Sequence, residues 1–172
     1  MFTLRCTGKL LKRLHTSPVV DIEQPTTRLG DWYATLVYDH REQFVLCVSE
    51  RSLLPVVVPA KEARTLAPRF RDTVAELLAR LGVSPADIER ERAEMADVRV
   101  GRTASRQVLG SMNDFLRMFS WRAPGRSLLD ESRQLAEAPC GPIGMRSPDD
   151  LTLDMLRQRH WRRDGGQQVH HG

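Results

Sequence analysis

Short stretches of alternating apolar and polar residues predict the strands of one sheet. Residues 2–6 read Phe, Thr, Leu, Arg, Cys, the period-two pattern of a strand with one buried face. Trp32–Tyr38 and Gln43–Ser49 flank a polar turn, and Leu53–Val58 follows a second turn, so these three segments predict a meander. Pro55 has no N–H to donate to a ladder, which places the last strand at an edge or displaces its start.

The middle strand of this meander is apolar on both faces. Phe44–Val48 contains no polar residue, which indicates a strand that is covered on both sides and is therefore central. Farther along the chain, Asp97–Gly101 alternates again and predicts a short strand that rejoins the sheet.

Apolar residues at helical spacing predict several helices around the sheet. The stripe from Leu66 to Leu81 predicts a helix that stops at Gly82. Ser84–Asp87 has the pattern of a capping box and predicts the start of a second helix, which ends near Met95. The segment Ser105–Phe119 predicts a third helix. Shorter helices are predicted over residues 8–15, 128–136 and 147–160.

The order of these elements predicts an α+β fold. It consists of a small mixed or antiparallel sheet, built from the N-terminal strand, the three-strand meander and the later short strand, and packed with several helices. Residues 1–160 are predicted to form a single α+β domain, because a chain of 172 residues suits one core and a modest tail. Residues 161–172 are predicted to be a flexible C-terminal tail.

Composition places the chain among globular proteins. Apolar residues make up 41% and charged residues 28%, and no run of about 18 apolar residues is present to span a membrane. The first residues, Met1–Thr7, lack the apolar run of a signal peptide, so a cytoplasmic location is predicted. The cysteines Cys6, Cys47 and Cys140 are far apart, and no Cys-x-x-Cys or His-x-His cluster indicates zinc. We therefore predict neither a metal nor a cofactor.

The positive charge of the chain is carried almost entirely by arginine. The formal net charge is +4, and 23 of the 26 basic residues are Arg, while Ile occurs three times and Asn once. This skew is typical of a high-GC bacterial genome, so the Arg excess is weak evidence for nucleic-acid binding. Lys9, Lys12 and Arg13 lie on the outer side of the first predicted helix, where they form either a nucleic-acid contact or a solvated surface.

The segment Thr103–Phe115 is the one that concentrates features of a binding site. On a helical wheel, Val108, Leu109, Met112, Phe115, Leu116 and Phe119 form an apolar face that predicts core packing. Another face carries Arg106, Gly110, Asn113 and Arg117. A glycine in mid-helix costs about 1 kcal/mol relative to alanine, and close approach of another backbone or a ligand is the usual reason for it.

Polar groups around this face suit an anionic or polar ligand. Arg106 offers a planar fork for a carboxylate or phosphate, Asn113 a neutral donor and acceptor, and Asp114 an acceptor. Thr103 and Ser105 lie where the helix begins, and free N–H groups at that point hold anions. Structural roles are the alternative, since Ser105 can cap the helix, and the other side chains can pair with the chain itself. Gly110 would then admit a neighbouring helix.

Five segments give the chain a resemblance to a known family. These segments are Met1–Leu14, Gly30–Tyr33, Arg51–Pro55, Gly101–Phe115 and Leu135–Cys140. They resemble a family of uncharacterised bacterial proteins, a domain of unknown function, over most of the chain to about Leu156. The resemblance implies a bacterial, cytosolic, single-domain protein and carries over no catalytic residue.

Three functional hypotheses follow from the sequence. The first is a small binding or interaction module whose polar site lies on the 103–117 segment and receives a protein partner or an anionic small ligand. The second is an enzyme that acts on a phosphate- or carboxylate-bearing substrate, with Arg106 binding the anion and Asp114 as a base. The third is a nucleic-acid-binding protein that uses Lys9, Lys12 and Arg13.

Overall fold

The structure, a computed structural model, describes residues 1–40 and 42–157. Its strands are β1 (Phe2–Cys6), β2 (Trp32–Asp39), β3 (Glu42–Ser49), β4 (Pro55–Pro59) and β5 (Val98–Arg102). Its helices are α1 (Gly8–Leu14), α2 (Ala63–Arg80), α3 (Pro85–Glu94), α4 (Arg106–Ser120), α5 (Leu128–Leu135) and α6 (Pro148–Arg157), with a short 3-10 turn at Gly141–Ile143. The end predicted for the last helix and the predicted tail lie outside the described residues.

The strands form one five-stranded mixed sheet in the order β4-β3-β2-β1-β5. The meander β2-β3-β4 is antiparallel, as the sequence predicts, whereas β1 runs parallel to both β2 and β5. A parallel pair needs a crossover, and here the crossovers are α1 with its following loop and the long stretch from β2 to β5. The predicted α+β class with a small mixed sheet is confirmed.

Helices cover both faces of the sheet because alternate residues of the strands point to opposite sides. Leu4, Trp32 and Val45 share one hydrophobic cluster with residues of α1, α2 and the end of α3. Tyr33 and Leu46, one position along in their strands, share a second cluster with α4. β3 is therefore buried from both sides, which confirms the prediction that it lies inside the sheet.

Both edges of the sheet are partly closed. β4 begins at Pro55 and lies at the edge, as its proline indicates, and the N–H of Val57 donates to Oγ of Ser132 in α5 at 2.9 Å. At the other edge, the N–H of Val19 donates to the carbonyl of Val100 in β5 at 2.8 Å. These contacts occupy backbone groups that an open edge would offer to another chain.

The described helices include none that is both long and apolar enough to cross a membrane.

Candidate functional site

The connection from β5 to α4 holds the start of the segment that the sequence singles out. Oγ of Ser105 accepts a hydrogen bond from the N–H of Val108 at 3.3 Å and so caps α4. The N–H of Ser105 itself donates to the phenolic oxygen of Tyr33 in β2 at 3.0 Å. Ser105 thus has the structural role considered for it, and Thr103 lies half-buried just before it. The start of α4 is fixed to the sheet.

The start of α4 lies at the same end of the sheet as the start of α1. β1 and β5 are parallel neighbours, and Cys6 pairs with Arg102 where both strands end. α1 then packs on one face and α4 on the other, as their membership of the two hydrophobic clusters shows. In many open α/β sheets, ligands bind where consecutive helices diverge in this way, outside the carboxyl ends of the strands. Lys9 and Arg106, both exposed, lie in the first turns of the two helices.

Arg5 and Asp31 form an ion pair at this end of the sheet that the sequence does not indicate. Asp31, which is 2% exposed, accepts hydrogen bonds from the N–H of Thr3 at 2.9 Å and from Nε of Arg5 at 3.1 Å. Arg5 also donates to the carbonyl of Arg102 at 3.3 Å and lies 5.8 Å from the ring centroid of Tyr33. The pair therefore ties β1 to the start of β2 and the end of β5. The alternation of residues 2–6 puts Arg5 on the polar face of the strand, so the sequence contains no signal of this pair.

The exposed face of α4 has a different character from its capped start. We call Arg106, Gly110, Asn113 and Arg117 together the α4 face, and all four are exposed. The side chains of Arg106 and Asn113 form no hydrogen bond or ion pair with the rest of the described chain. A Cβ added at Gly110 would meet nothing within 4 Å. The expectation that a neighbouring segment approaches Gly110 is therefore wrong for the residues that the structure describes.

Asp114, unlike Arg106 and Asn113, has a partner within the chain. It accepts a hydrogen bond from Nη2 of Arg117 at 2.9 Å in an exposed ion pair. It also borders a cleft with Ser111 and Cys140. Asn113 lies about 10 Å along the helix from Arg106, because seven residues rise by about 1.5 Å each. The candidate residues therefore form a strip along α4 rather than one pocket at its start.

The basic residues of α1 divide into two kinds. Lys9 and Lys12 are exposed, whereas Nη2 of Arg13 donates to the carbonyls of Ala60 at 3.2 Å and Lys61 at 3.3 Å. Arg13 therefore links α1 to the segment that connects β4 with α2. Because its guanidinium is used within the protein, it is less available for a contact with nucleic acid. Across residues 1–40 and 42–157, no group of three or more His, Cys, Asp or Glu residues could hold a metal ion.

Comparison with known proteins places the chain in a family without assigning an activity. The model of a family described as a domain of unknown function, DUF6933, matches residues 3–151. None of the curated proteins and none of the solved structures matches the chain. The match confirms the resemblance to a family of unknown function that the sequence segments indicate. Because it spans most of the chain, the protein belongs to the DUF6933 family.

Proposed function

We propose that this protein is a cytoplasmic bacterial interaction module that binds a protein partner through the α4 face. The observation that carries the proposal is the pair of unpartnered polar side chains, Arg106 and Asn113, on either side of an unshielded Gly110. Each structural role that could explain these three residues would need a contact within the chain. The described part of the chain supplies none.

The glycine is the most informative member of the α4 face. It sits in the middle of a helix of 15 residues, where alanine would stabilise the protein by about 1 kcal/mol. A partner whose backbone or bulky side chain approaches closely would account for a missing Cβ. On either side of that point, the guanidinium of Arg106 suits a carboxylate, and the amide of Asn113 suits a backbone peptide group. The partner is thus expected to present an acidic side chain beside exposed backbone.

The shape of the surface favours a protein over a small ligand. Arg106, Gly110 and Asn113 project from one exposed helix face, and a small ligand needs walls on several sides. The cytoplasmic location is supported by three free thiols, at Cys6, Cys47 and Cys140, which suit a reducing compartment. The interaction module would be the single domain predicted for residues 1–160.

An affinity capture from cell lysate tests this proposal. Proteins retained by the wild type are compared with those retained by Arg106→Ala and Asn113→Ala. The matched control is Arg133→Ala, which removes from α5 another exposed arginine whose side chain has no partner among the described residues. We expect the same partner with the wild type and the control, and its loss with the two variants of the α4 face. Retention of every partner by all folded variants would overturn the proposal.

A second candidate function is supported by the divergence of α1 and α4 at the carboxyl ends of β1 and β5. Lys9 and Arg106 lie in the first turns of these two helices, which fits an enzyme that binds a phosphate- or carboxylate-bearing substrate at that end of the sheet. Substrate binding there would depend on Lys9, whereas partner binding on the α4 face would not. Lys9→Ala therefore distinguishes the two functions. Nucleic-acid binding has less support, because Arg13 is engaged within the protein.

A further inference from the structure

A small cleft opens between α4 and the segment that follows α5. Its volume is about 80 Å³. Ser111 and Asp114 border it from α4, and Cys140 borders it from the facing segment. Phe115, Met118, Pro139 and Pro142 supply apolar walls. One water needs about 10–15 Å³ by this kind of measure, so the cleft has room for a polar head group with a short apolar stem.

The hydroxyl of Ser111 is available to a group that enters this cleft. Ser111 is 6% exposed, and its hydroxyl forms no hydrogen bond with the described residues. Buried serines in helices usually donate to the carbonyl one turn earlier, as Ser132 does to Leu128 at 2.8 Å. Oγ of Ser111 is not among the described side-chain atoms that are fully buried without a partner, so it reaches solvent and is free to bind a group in the cleft.

The thiol of Cys140 is held in its neutral form. Burial raises its pKa, and the negative charge of Asp114 raises it further. Sγ donates to the carbonyl of Ala138 at 3.4 Å, which uses the thiol hydrogen and leaves the sulfur lone pairs free to accept. A neutral thiol is a poor nucleophile and a poor metal ligand, since both roles need the thiolate. Cys140 therefore serves this cleft as a soft acceptor.

Acceptors thus dominate the polar lining. Asp114 brings a carboxylate, whose ion pair with Arg117 is exposed to solvent and therefore weak. Ser111 and Cys140 add a hydroxyl and a sulfur. The complementary group has several N–H donors and a positive charge on a narrow apolar stem, which describes a primary ammonium group on a short alkyl chain.

We propose that this cleft binds a primary alkylammonium group, with the carboxylate of Asp114, the hydroxyl of Ser111 and the sulfur of Cys140 accepting its three N–H hydrogen bonds. The methylenes next to the nitrogen lie against Phe115 and Met118. The site lies on the flank of α4, about a third of a turn from the centre of the α4 face, at about 100° per residue. It does not depend on the proposed protein partner.

Titration of the full-length protein with n-propylammonium chloride, followed by amide NMR shifts, tests this site. We expect saturable shifts at Ser111, Asp114 and Cys140. Sodium chloride and n-propanol, which lack the ammonium group, should produce no saturable shifts there. Equal responses to n-propanol would mean that the cleft holds water or any small molecule, and they would overturn the proposal, as would the absence of saturation at millimolar concentration.

Variants distinguish the acceptors from the fold. Asp114→Asn should weaken n-propylammonium binding at least about tenfold, because it removes the charge from the strongest hydrogen bond. Ser111→Ala should weaken it severalfold while keeping the protein folded, since the deleted hydroxyl has no internal partner. Arg117→Ala should strengthen it, because it removes the cation that competes for Asp114.

Asp72→Asn is the matched control, since Asp72 forms a comparable exposed ion pair with Arg92 at 2.7 Å far from the cleft. Unchanged affinity in Asp114→Asn, or an equal loss in Asp72→Asn, would contradict the assignment. A lysine side chain of another protein and a free amine share this ammonium chemistry. Binding of Nα-acetyl-lysine amide as tight as that of n-propylammonium would favour the lysine source, whereas weaker binding would favour a free amine.

Discussion

The N–H of Ser105, the residue that caps α4, donates to the phenolic oxygen of Tyr33 at 3.0 Å. Tyr33 is buried in β2, and its ring belongs to the cluster that α4 covers. One side chain therefore fills the core and also binds the backbone at the point where α4 leaves the sheet. Because the α4 face and the cleft are both carried by this helix, the hydrogen bond fixes where they begin.

Replacing Tyr33 with phenylalanine should destabilise the protein by about 1–2 kcal/mol, because the N–H of Ser105 loses its partner while remaining half-buried. The free energy of unfolding in urea measures the change. Tyr38→Phe is the control, since Tyr38 is 62% exposed and should tolerate the same deletion. Equal effects of the two substitutions would mean that the hydrogen bond contributes nothing.

Asp31→Asn should destabilise the protein by about 2–3 kcal/mol. The substitution keeps the shape of the side chain but removes the charge that Arg5 binds at 3.1 Å, and it leaves the guanidinium half-buried without its carboxylate. Asp72→Asn, at the exposed ion pair with Arg92, should cost less than about 1 kcal/mol. Urea unfolding of the two variants measures the contrast, and a loss at Asp72 as large as that at Asp31 would refute the structural role of the buried pair.

The parallel pairing of β1 explains why the sequence did not reveal this ion pair. Alternation predicts that Arg5 lies on the opposite face from Leu4, and the strand itself is confirmed. Alternation does not predict that β2 and β5 both lie beside β1 and run parallel to it. That arrangement brings Asp31 and Arg102 to Arg5. Local patterns fix which residues face inward, whereas strand order depends on long-range contacts.

The same contrast between local patterns and long-range contacts explains why the sequence does not reveal the cleft beside Ser111. The helical wheel places Ser111 beside the apolar face of α4, but it cannot say which later segment covers that flank. The structure brings Cys140 there, about thirty residues farther along the chain. The helix itself was predicted almost to its ends, because its apolar spacing is a local property.

Glu91 should make stability depend on pH. Its carboxylate accepts hydrogen bonds from the N–H groups of Arg28 at 2.9 Å and Leu29 at 3.2 Å, which favour the charged form. Burial outweighs them and raises the pKa of Glu91 above its ordinary value of 4.5. The folded state therefore binds this proton more tightly than the unfolded state does.

The stabilising contribution of this proton is complete below the unfolded pKa and is lost as the pH rises through the folded pKa. The free energy of unfolding of the wild type should therefore fall relative to that of Glu91→Gln as the pH is raised from about 4 to about 7. Urea unfolding of both proteins at matched pH values gives this difference. If the free energy of unfolding of the wild type stays constant relative to that of Glu91→Gln, or rises with pH, burial does not dominate at Glu91.

Gly110→Ala should separate stability from binding. Apart from its chain neighbours and the backbone of its own helix, no described atom lies within 4 Å of the new Cβ, so alanine should stabilise the protein by about 1 kcal/mol through its higher helix propensity. Thermal or urea unfolding measures this gain. Gly101→Ala is the control. A Cβ at this position would lie 2.7 Å from Cδ1 of Ile22 and 2.8 Å from Cγ2 of Thr3. This substitution should therefore destabilise the protein.

The sequence drew attention to Gly110 because a glycine is unusual in mid-helix, yet the close approach lies at Gly101, at the end of a strand. The tolerance of Gly110 within the chain is what makes it useful as a probe of binding. If a partner occupies the α4 face, Gly110→Ala should weaken its capture while stabilising the free protein. A stabilised variant that captures the partner as well as the wild type does would show that the partner does not approach this glycine closely.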